Sequence, residues 1–216
     1  MSHLLTVLLA GALLSEAGGR IRVSPVYTPR SCGILIATGS VAEYRLTSPQ
    51  EGVAFDVDGD GIRERVAWTE RGVSLAFLAI DRNHNGVIDD GTELIGGRTI
   101  DKVTNGFEAL HRLAPRPEDE ASSLAAARHN DGFLDKTDRI WSTLLLWRDE
   151  NHNGLSETIE LQPAGDLLTR IGLGYQRDTR TDEGGLFWLR GWVELKRPQP
   201  GERFRPVYDV VCRTSR

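Results

Sequence analysis

The chain has 216 residues, of which 39% are hydrophobic, and its formal net charge is −5. This content is enough to bury one substantial core, which excludes a disordered tail, and the negative charge argues against nucleic-acid binding because phosphates need a cationic surface. Many acidic residues lie in short Gly/Asn-rich stretches, where carboxylates repel one another unless a cation is bound between them.

The N-terminus has the pattern of a signal peptide. Residues 4–14 are an apolar run too short to span a bilayer, and Ser15 and Ala17 place small residues where a signal peptidase cleaves. Residues 1–17 are therefore predicted to be removed. Only His3 and no Lys or Arg precedes the run, so a buried N-terminal helix is the alternative. No second long apolar stretch follows, and we expect a soluble protein without a membrane span that is secreted, periplasmic or on the cell surface.

Residues 18–216 are predicted to form a single domain. Short runs rich in β-branched or aromatic residues, each bounded by Gly, Asp or Pro, indicate strands at residues 32–38, 41–47, 52–57, 63–69 and 74–80. Helical spacing of Ala, Leu and Glu then predicts helices at residues 106–114, 118–129, 137–144 and 163–172, with Thr137 as a cap. Residues 144–147, LLLW, fit either a helix or a strand, and two closing strands are predicted at 186–195 and 203–212.

Cys32 and Cys212 are the only cysteines. An even pair in an exported protein favours a disulfide, which would close a very long loop. The last predicted strand can bring Cys212 beside the first one. The alternative is two buried thiols that act as small hydrophobic groups.

Four segments share one pattern when they are aligned on a glycine. Oxygen-bearing side chains stand at positions 1, 3 and 5, Gly at 6, a backbone carbonyl at 7 and carboxylates at 9 or 12. Ca²⁺ takes about six to eight oxygen ligands, and a tight loop supplies several of them before a late carboxylate closes the site. The segments begin at Asp56, Asp81, Ala127 and Asp149, and they are named the first to fourth loops in chain order.

The predicted calcium ligands are side-chain oxygens, except at position 7, where Ile62, Val87 and Leu155 offer backbone carbonyls. The side-chain ligands are Asp56, Asp58, Asp60 and Glu64 in the first loop, Asp81, Asn83, Asn85, Asp89 and Glu93 in the second, and Asp149, Asn151, Asn153, Glu157 and Glu160 in the fourth. The alternative is that these Asp, Asn and Gly clusters are only turns.

The loops differ in how they end. The fourth satisfies the whole EF-hand expression, with Glu160 at position 12. The second has Thr92 at that position, so an extra residue through Gly91 is needed for Glu93 to close the site. The first lies between predicted strands and has Ala67 at position 12, which indicates a β-loop-β site.

The third loop has Ala127 and His129 in place of oxygen ligands at positions 1 and 3. It is predicted to keep the turn and to bind calcium weakly or not at all, and the carboxylates that it offers are Asp131, Asp135 and Asp138.

Histidines stand at position 4 of the second and fourth loops, within DRNHNG and DENHNG. His84 and His152 fall between ligand positions, on the outward side. Zn²⁺ prefers nitrogen and sulfur ligands in a tetrahedron, so a histidine metal site is not expected.

The predicted elements combine into an α+β fold. Residues 30–100 form a β-rich part with calcium loops between its strands. Residues 101–172 contribute short helices with EF-hand-like loops. Residues 173–216 contribute the closing strands.

Four segments in a fixed order, GVAFDVDGDGIRERVAW, LAIDRNHNGVIDDGTELIGG, NGFEAL and LLLWRDENHNGLSETIEL, resemble bacterial secreted proteins with EF-hand-like calcium loops. Those proteins are related to regions that accompany haemolysin-type (RTX) calcium repeats. The resemblance extends from about Cys32 to Tyr175. Ser156 departs from it, because an EF-hand often has an apolar residue at position 8.

The resemblance implies an exported calcium-binding domain with Ca²⁺ as its cofactor and no characterised biochemical activity. The Gly-Gly-x-Gly-x-Asp repeats of the haemolysins themselves are absent. Some related large secreted proteins carry a calcium-dependent module that cleaves itself at an Asp-Pro bond. No Asp-Pro dipeptide occurs in this chain, so that activity is not predicted.

Calcium is expected to be chiefly structural, and the chain is not expected to be an enzyme. It has no G-x-S-x-G and no H-E-x-x-H motif. Glu108 and His111 lie one turn apart on a predicted helix, and we interpret them as a surface ion pair instead of a catalytic pair. A calcium-dependent hydrolase is kept as an alternative.

The tryptophans suggest a second alternative, a carbohydrate- or surface-binding module with a glycan or cell-surface partner. Their positions on predicted strands favour core packing instead. The residues concerned are Trp68, Trp141, Trp147, Trp188 and Trp192.

Overall fold

The computed structural model describes residues 31–114 and 131–215. The predicted signal peptide, the helix predicted over residues 118–129 and the start of the third loop lie outside these ranges. None of the helices within them combines the length and the hydrophobicity that a membrane crossing requires.

Strands dominate the described residues. In chain order they are β1 Gly33–Ala37, β2 Val53–Phe55, β3 Glu64–Val66, β4 Leu75–Ile80, β5 Phe133–Asp135, β6 Leu144–Trp147, β7 Leu161–Pro163, β8 Leu168–Gly172, β9 Gln176–Thr181, β10 Gly185–Leu195, β11 Phe204–Cys212 and β12 Thr214–Ser215. The helices are α1 Gly106–Leu113, the single turn α2 Ala164–Leu167, and 3₁₀-helices at Arg139–Thr143 and Thr158–Glu160.

Two antiparallel sheets organise these strands. The larger, nine-stranded sheet has the order β5-β8-β10-β11-β1-β4-β6-β7, and β9 also pairs with β10. It is curled into a half-barrel. The smaller sheet has the order β12-β3-β2, so that the C-terminal strand β12 joins the β2–β3 hairpin.

The predicted α+β fold is wrong, because the protein is mostly β. The part predicted to be helical, residues 101–172, contributes β5, β6, β7 and β8 to the main sheet. The helix predicted over 163–172 ends after one turn, and its second half is β8, which pairs with β10. A short apolar run fits a buried strand as well as a helix, and the pairing partner decides between them.

Local predictions had mixed outcomes. Helix α1 and both closing strands are confirmed, and LLLW is strand β6. The strand predicted over 41–47 is wrong, since only an isolated bridge between Leu46 and Thr69 forms there. The 3₁₀-helix that begins at Arg139 has Asp138 instead of Thr137 as its N-cap.

The central strands of the large sheet are buried on both faces, and alternate residues enter two different cores. On β1, Ile34 and Ile36 face the helical core, which contains Phe107 of α1. Leu35 and Ala37 face the aromatic core under the small sheet. Burial on both faces explains why β1 is apolar at every position.

The aromatic core is built around four rings. The ring centroids of Phe55 and Trp68 are 5.2 Å apart, those of Trp68 and Phe77 are 4.6 Å apart, and those of Trp68 and Trp147 are 5.4 Å apart. Trp68 and Trp147 are fully buried, as is most of Trp141. Core packing, the favoured interpretation for the tryptophans, therefore holds for these three.

The disulfide between Cys32 and Cys212 is present, with a Cα–Cα distance of 5.8 Å. It lies where β11 pairs with β1, since Gly33 stands opposite Val210. The backbone N–H of Cys32 also donates to the Val210 carbonyl at 2.8 Å. The predicted approach of the last strand to the first is confirmed.

A fully buried carboxylate lies between the large sheet and α1. Asp209 on β11 accepts a hydrogen bond from the Gly106 N–H at 2.8 Å, and the Ser31 side chain also interacts with its carboxylate. Burial, with a smaller contribution from Glu108, raises the pKa of Asp209 to about 7. The group therefore binds its proton more tightly in the folded protein than in the unfolded chain.

The pH dependence of stability follows from this raised pKa. Between the unfolded value of 3.8 and about 7, the native state retains a proton that the unfolded chain has lost. The unfolding free energy should then fall by up to about 4 kcal/mol as pH rises through this window. Asp209→Asn keeps an acceptor for Gly106 and removes the titration, so urea unfolding of this variant should lose most of that slope.

The exposed Asp101→Asn variant is the control and should retain the wild-type slope. Both series are measured at a fixed, saturating Ca²⁺ concentration. Parallel stability curves for wild type and Asp209→Asn would refute this account of the buried carboxylate.

Candidate metal-binding loops

The fourth loop, residues 149–160, is wrapped around the Asp149 carboxylate. Asp149 is 4% exposed. Its two oxygens accept hydrogen bonds from the N–H groups of Asn153 at 3.1 Å and Gly154 at 2.9 Å. The Asn151 side-chain oxygen accepts from the Asn153 N–H at 3.0 Å. These bonds fix the turn that Gly154 makes with a φ of 70°, a value that favours glycine.

The side chains at positions 3, 5 and 9 of the fourth loop converge. The amides of Asn151 and Asn153 donate to one oxygen of Glu157, at 3.2 and 2.8 Å. The other Glu157 oxygen is buried. Hydrogen bonds from Glu160, Asn153 and Asn151 hold the pKa of Glu157 below its usual value, so a carboxylate oxygen is available at this convergence.

Glu160 closes the loop from the other side. Its carboxylate accepts from the Glu150 N–H at 2.9 Å, from the Glu157 N–H at 3.4 Å and from the Trp147 indole at 3.3 Å. Burial and the neighbouring Glu157 raise the pKa of Glu160. Its charged form is thus disfavoured in the absence of a cation.

The second loop, residues 81–93, repeats this arrangement. The Asp81 carboxylate accepts from the N–H groups of Asn85 at 3.2 Å and Gly86 at 2.9 Å. The amides of Asn83 and Asn85 both donate to Asp89, which corresponds to Glu157. Positions 1, 3, 5 and 9 therefore make the same set of bonds in both loops.

Glu93 takes the place of Glu160 although it comes one residue later. It is 2% exposed, and it accepts from the Arg82 N–H at 3.0 Å and the Asp89 N–H at 2.8 Å. These donors stand at positions 2 and 9, as Glu150 and Glu157 do. The extra residue is accommodated near Gly91, which packs so closely on the Val57 carbonyl that a Cβ would lie 2.0 Å from its oxygen.

The first loop, residues 56–64, is shorter and connects β2 to β3. The Asp56 carboxylate accepts from the N–H groups of Gly59 at 2.7 Å and Gly61 at 2.8 Å. Oxygens of Asp56, Asp58 and Glu64 lie within 4.8 Å of one another, a group that could hold a metal ion. One oxygen each of Asp58 and Glu64 is buried without a partner.

The other predicted ligands of the first loop lie further out. Asp60 accepts from the Ile62 N–H at 2.8 Å, and both residues are exposed. Asp60 is not part of the group formed by Asp56, Asp58 and Glu64. The structure thus brings together three of the four predicted side chains.

The three loops form one contiguous assembly around the small sheet. The first and second are joined where the Gly91 N–H donates to the Asp56 carbonyl at 2.8 Å. The second and fourth are joined where the Ile88 N–H donates to the Ser156 hydroxyl at 2.6 Å. The fourth packs on β2, since a Cβ on Gly154 would lie 2.8 Å from the Ala54 oxygen.

Gly154→Ala is expected to be more damaging than Gly86→Ala. Both glycines stand at position 6 with positive φ, so both variants incur backbone strain of about 1 kcal/mol. Only Gly154 has backbone within 3 Å of the added methyl group, whereas Gly86 has nothing within 4 Å. Chemical denaturation should show a loss of about 2 to 3 kcal/mol for Gly154→Ala. Equal losses would show that the fourth loop does not depend on its packing against β2.

His84 and His152, at position 4, also adopt positive φ values of 60° and 56°. His84 is exposed. Burial and the nearby Arg71 lower the pKa of His152 against the opposing effect of Asp149. Neither histidine belongs to the group of metal-ligating side chains found among the described residues.

The described part of the third loop keeps its turn, with Gly132 at a φ of 86°. Asp131 accepts from the Phe133 N–H at 3.0 Å, and Asp135 accepts from the Thr137 N–H at 2.9 Å. Asp138 accepts from the Asp135 N–H at 2.8 Å. These carboxylates cap the local backbone around β5.

Two contacts of the site were not predicted from the sequence. The Ser156 hydroxyl links the second and fourth loops. The sequence signal for this contact was a polar residue at position 8, where an EF-hand often has an apolar one. Arg71 donates to the Asn151 carbonyl at 3.2 Å and so fixes the back of the fourth loop. No local pattern marks Arg71, because the contact spans 80 residues.

These features define a mostly β domain, closed by a disulfide, in which acidic loops surround a small sheet. Residues 43–197 match the family model described as SPM domain, and the chain belongs to that family.

The chain is also similar to a curated bacterial protein, the iron-regulated protein FrpA of Neisseria meningitidis serogroup C. The two are 32% identical over 126 residues, which cover 58% of this chain. The match covers only 10% of the relative's length. The resemblance to a bacterial protein is thus supported, and neither comparison bears on calcium.

Proposed function

We propose that this chain is an exported calcium-binding domain in which Ca²⁺ is chiefly structural. The observation that carries the proposal is the shared architecture of the second and fourth loops. In both, side chains at positions 1, 3, 5 and 9 are linked by equivalent bonds, and a buried glutamate, Glu93 or Glu160, closes the loop at equivalent N–H groups. Turns alone do not require a buried glutamate from outside the turn.

The chemistry of the proposed ligand atoms favours binding of a hard cation. Every proposed side-chain ligand offers oxygen, as do the position-7 carbonyls, and Ca²⁺ prefers such ligands. Buried oxygens of Asp58 and Glu64 lack hydrogen-bond partners, and a cation would compensate their charge. Zn²⁺ is less suited, because it prefers nitrogen and sulfur.

A structural role fits the small sheet that these loops surround. Its strands β2 and β3 have three residues each and β12 has two, and so short a sheet is not stable alone. Ca²⁺ would hold the acidic loops against it. The affinity needed is modest, with Kd values of about 10⁻⁴ to 10⁻³ M sufficing outside the cell.

Export is part of the same proposal. The Cys32–Cys212 disulfide is typical of proteins that fold in an oxidising compartment. Ca²⁺ is also abundant outside the cell, so that folding of the loops would follow export. The predicted signal peptide at residues 1–17 agrees with this order of events.

Isothermal titration of the metal-free chain with CaCl₂ tests the proposal, together with elemental analysis after dialysis. We expect Ca²⁺ binding at the three loops and thermal stabilisation by Ca²⁺ that Mg²⁺ and Zn²⁺ do not reproduce. A chain that binds no Ca²⁺ and melts at the same temperature in Ca²⁺ and in chelator would refute it.

A calcium-dependent hydrolase has less support. Glu108 and His111, the pair that the sequence offered, are engaged separately. Glu108 accepts from the Thr104 N–H at 3.1 Å, and a ring nitrogen of His111 lies 3.1 Å from the Leu173 carbonyl oxygen. The predicted ion pair between them is not among the ion pairs of the described residues, and we propose a non-catalytic role.

A further inference from the structure

A groove of about 520 Å³ opens beside β10, and none of the described residues that line it belongs to the calcium loops. It lies where β10 changes partner. Pairing with β9 ends at Arg190 opposite Gln176, and pairing with β8 begins at Val193 opposite Ile171. Gly191 and Trp192 line the groove between these two ladders. Its volume is within the range of small-molecule sites, about 300 to 1,000 Å³.

The part of the groove formed by Trp192 and Pro206 is an uncovered continuation of the face that packs on the aromatic core, whereas Tyr175 and Gly191 lie on the side of Phe107 and the helical core. Cross-strand partners share a face of a sheet, and Phe187 opposite Val210 lies within that core. Further along the same face, Trp192 stands opposite Pro206 and outside the core. The small sheet covers one end of this face and leaves the groove end exposed to solvent.

Aromatic rings form the wall of the groove, and their positions are fixed by packing. Tyr175 is 41% exposed and stacks on Phe107 with a centroid distance of 5.1 Å. Phe204 is 53% exposed and meets Trp192 edge-on at 5.2 Å. Trp192 lies directly over Gly172, where a Cβ would be 2.4 Å from its ring. A rigid aromatic surface binds a ligand with little loss of side-chain entropy.

One positively charged side chain of the groove is available to bind a ligand. Arg190 is exposed and, within residues 31–114 and 131–215, has neither an ion pair nor a side-chain hydrogen bond. The other arginine of the lining, Arg205, is paired with Glu202 at 2.9 Å. Among the described residues that line the groove there is no Asp or Glu, and Gln176 adds an amide beside Arg190. The charge of this site therefore complements an anion.

We propose that this groove binds a carboxylate-bearing saccharide. A sugar ring presents an apolar C–H face to aromatic side chains, here Trp192 and Tyr175, while its hydroxyls bond to amides such as that of Gln176. Arg190 recognises the carboxylate, for which its planar guanidinium has matching geometry. The site is independent of the calcium loops, so neither proposal depends on the other.

The test uses the full chain in saturating Ca²⁺ and isothermal titration with two probes, sialyllactose and an oligoglucuronate. The methyl ester of each is the neutral control, since it keeps the ring shape and removes the charge. We expect binding of at least one acid, and binding of its ester weakened by about tenfold or more. Failure of both acids to bind, or equal binding of acid and ester, would overturn the proposal.

Variants locate the binding. Arg190→Ala should weaken acid binding by about tenfold or more, and Arg190→Lys should restore part of it. Arg177→Ala is the matched control, because Arg177 is also exposed on the β9–β10 pair, opposite Leu189, but is not among the described residues that line the groove. An Arg190→Ala variant that binds as well as wild type would overturn the assignment.

The aromatic wall is tested with Tyr175→Ala, which changes an exposed side chain, beside Trp192→Ala, with both melting temperatures recorded. Each variant should weaken binding of the acid and of its ester alike, because stacking does not depend on the charge.

Oligo-glutamate is titrated as the peptide competitor. If it binds with the same dependence on Arg190 while both saccharides fail, the groove binds an acidic protein segment and the saccharide proposal is wrong.

Discussion

Glu160→Gln is expected to destabilise the protein far more in Ca²⁺ than in chelator. Glutamine retains one side-chain oxygen as an acceptor for the Glu150 N–H and removes the charge, but its NH₂ group replaces the oxygen that accepts from the Trp147 indole at 3.3 Å. Burial raises the pKa of Glu160, so its charge opposes folding unless a cation is present. The difference between the effects in Ca²⁺ and in chelator separates a ligand from an ordinary structural residue.

The magnitude follows from the linkage between binding and folding. Each site contributes about 1.4 to 2.7 kcal/mol when free Ca²⁺ is 10 to 100 times its Kd. Loss of the fourth site should lower the melting temperature in Ca²⁺ by roughly 3 to 10 °C for a domain of this size. Adding Glu93→Gln should lower it further, and the contact between Ile88 and Ser156 is expected to make the two effects non-additive.

Glu150→Gln is the matched control, because Glu150 stands at position 2 of the same loop and its side chain pairs with Arg148 at the surface. It should behave as wild type under both conditions. If Glu160→Gln lowered the melting temperature equally with Ca²⁺ and with chelator, Glu160 would have only a structural role.

More of the loop geometry than of the overall fold could be predicted from the sequence. Spacing within a loop is local information, and the late Glu93 was recognisable because Gly91 supplied the extra residue. The arrangement of the loops was not predictable. Ser156 meets Ile88 across 68 residues, and no short pattern encodes a contact of that separation.

The α+β prediction failed in residues 131–172 for a physical reason. Leu168 and Ile171 have a spacing that fits one face of a helix, yet both are buried in the helical core by strand β8. The neighbouring β10 supplies hydrogen-bonding partners there, and strand pairing overrides a weak helical preference. β10 itself was predictable, since its alternation is long enough to define a strand.

Removal of the disulfide is expected to have the largest single effect on stability. Cys32 and Cys212 are separated by 180 residues, and the loop-entropy model assigns such a closure about 5 kcal/mol. The double variant Cys32→Ala/Cys212→Ala should lose most of this amount in urea unfolding at saturating Ca²⁺. Wild type under reducing conditions is the second measurement and should agree with the variant.

The disulfide and the calcium loops should contribute additively, because they act on different states of the chain. The disulfide lowers the entropy of the unfolded chain, whereas Ca²⁺ binding lowers the free energy of the folded one. All three loops, residues 56–64, 81–93 and 149–160, lie within the segment that the disulfide closes. The Ca²⁺-dependent gain in unfolding free energy should therefore be equal with and without the disulfide. A Ca²⁺ effect that vanished in the cysteine-free variant would instead mean that the bond between β1 and β11 is required to assemble the loops.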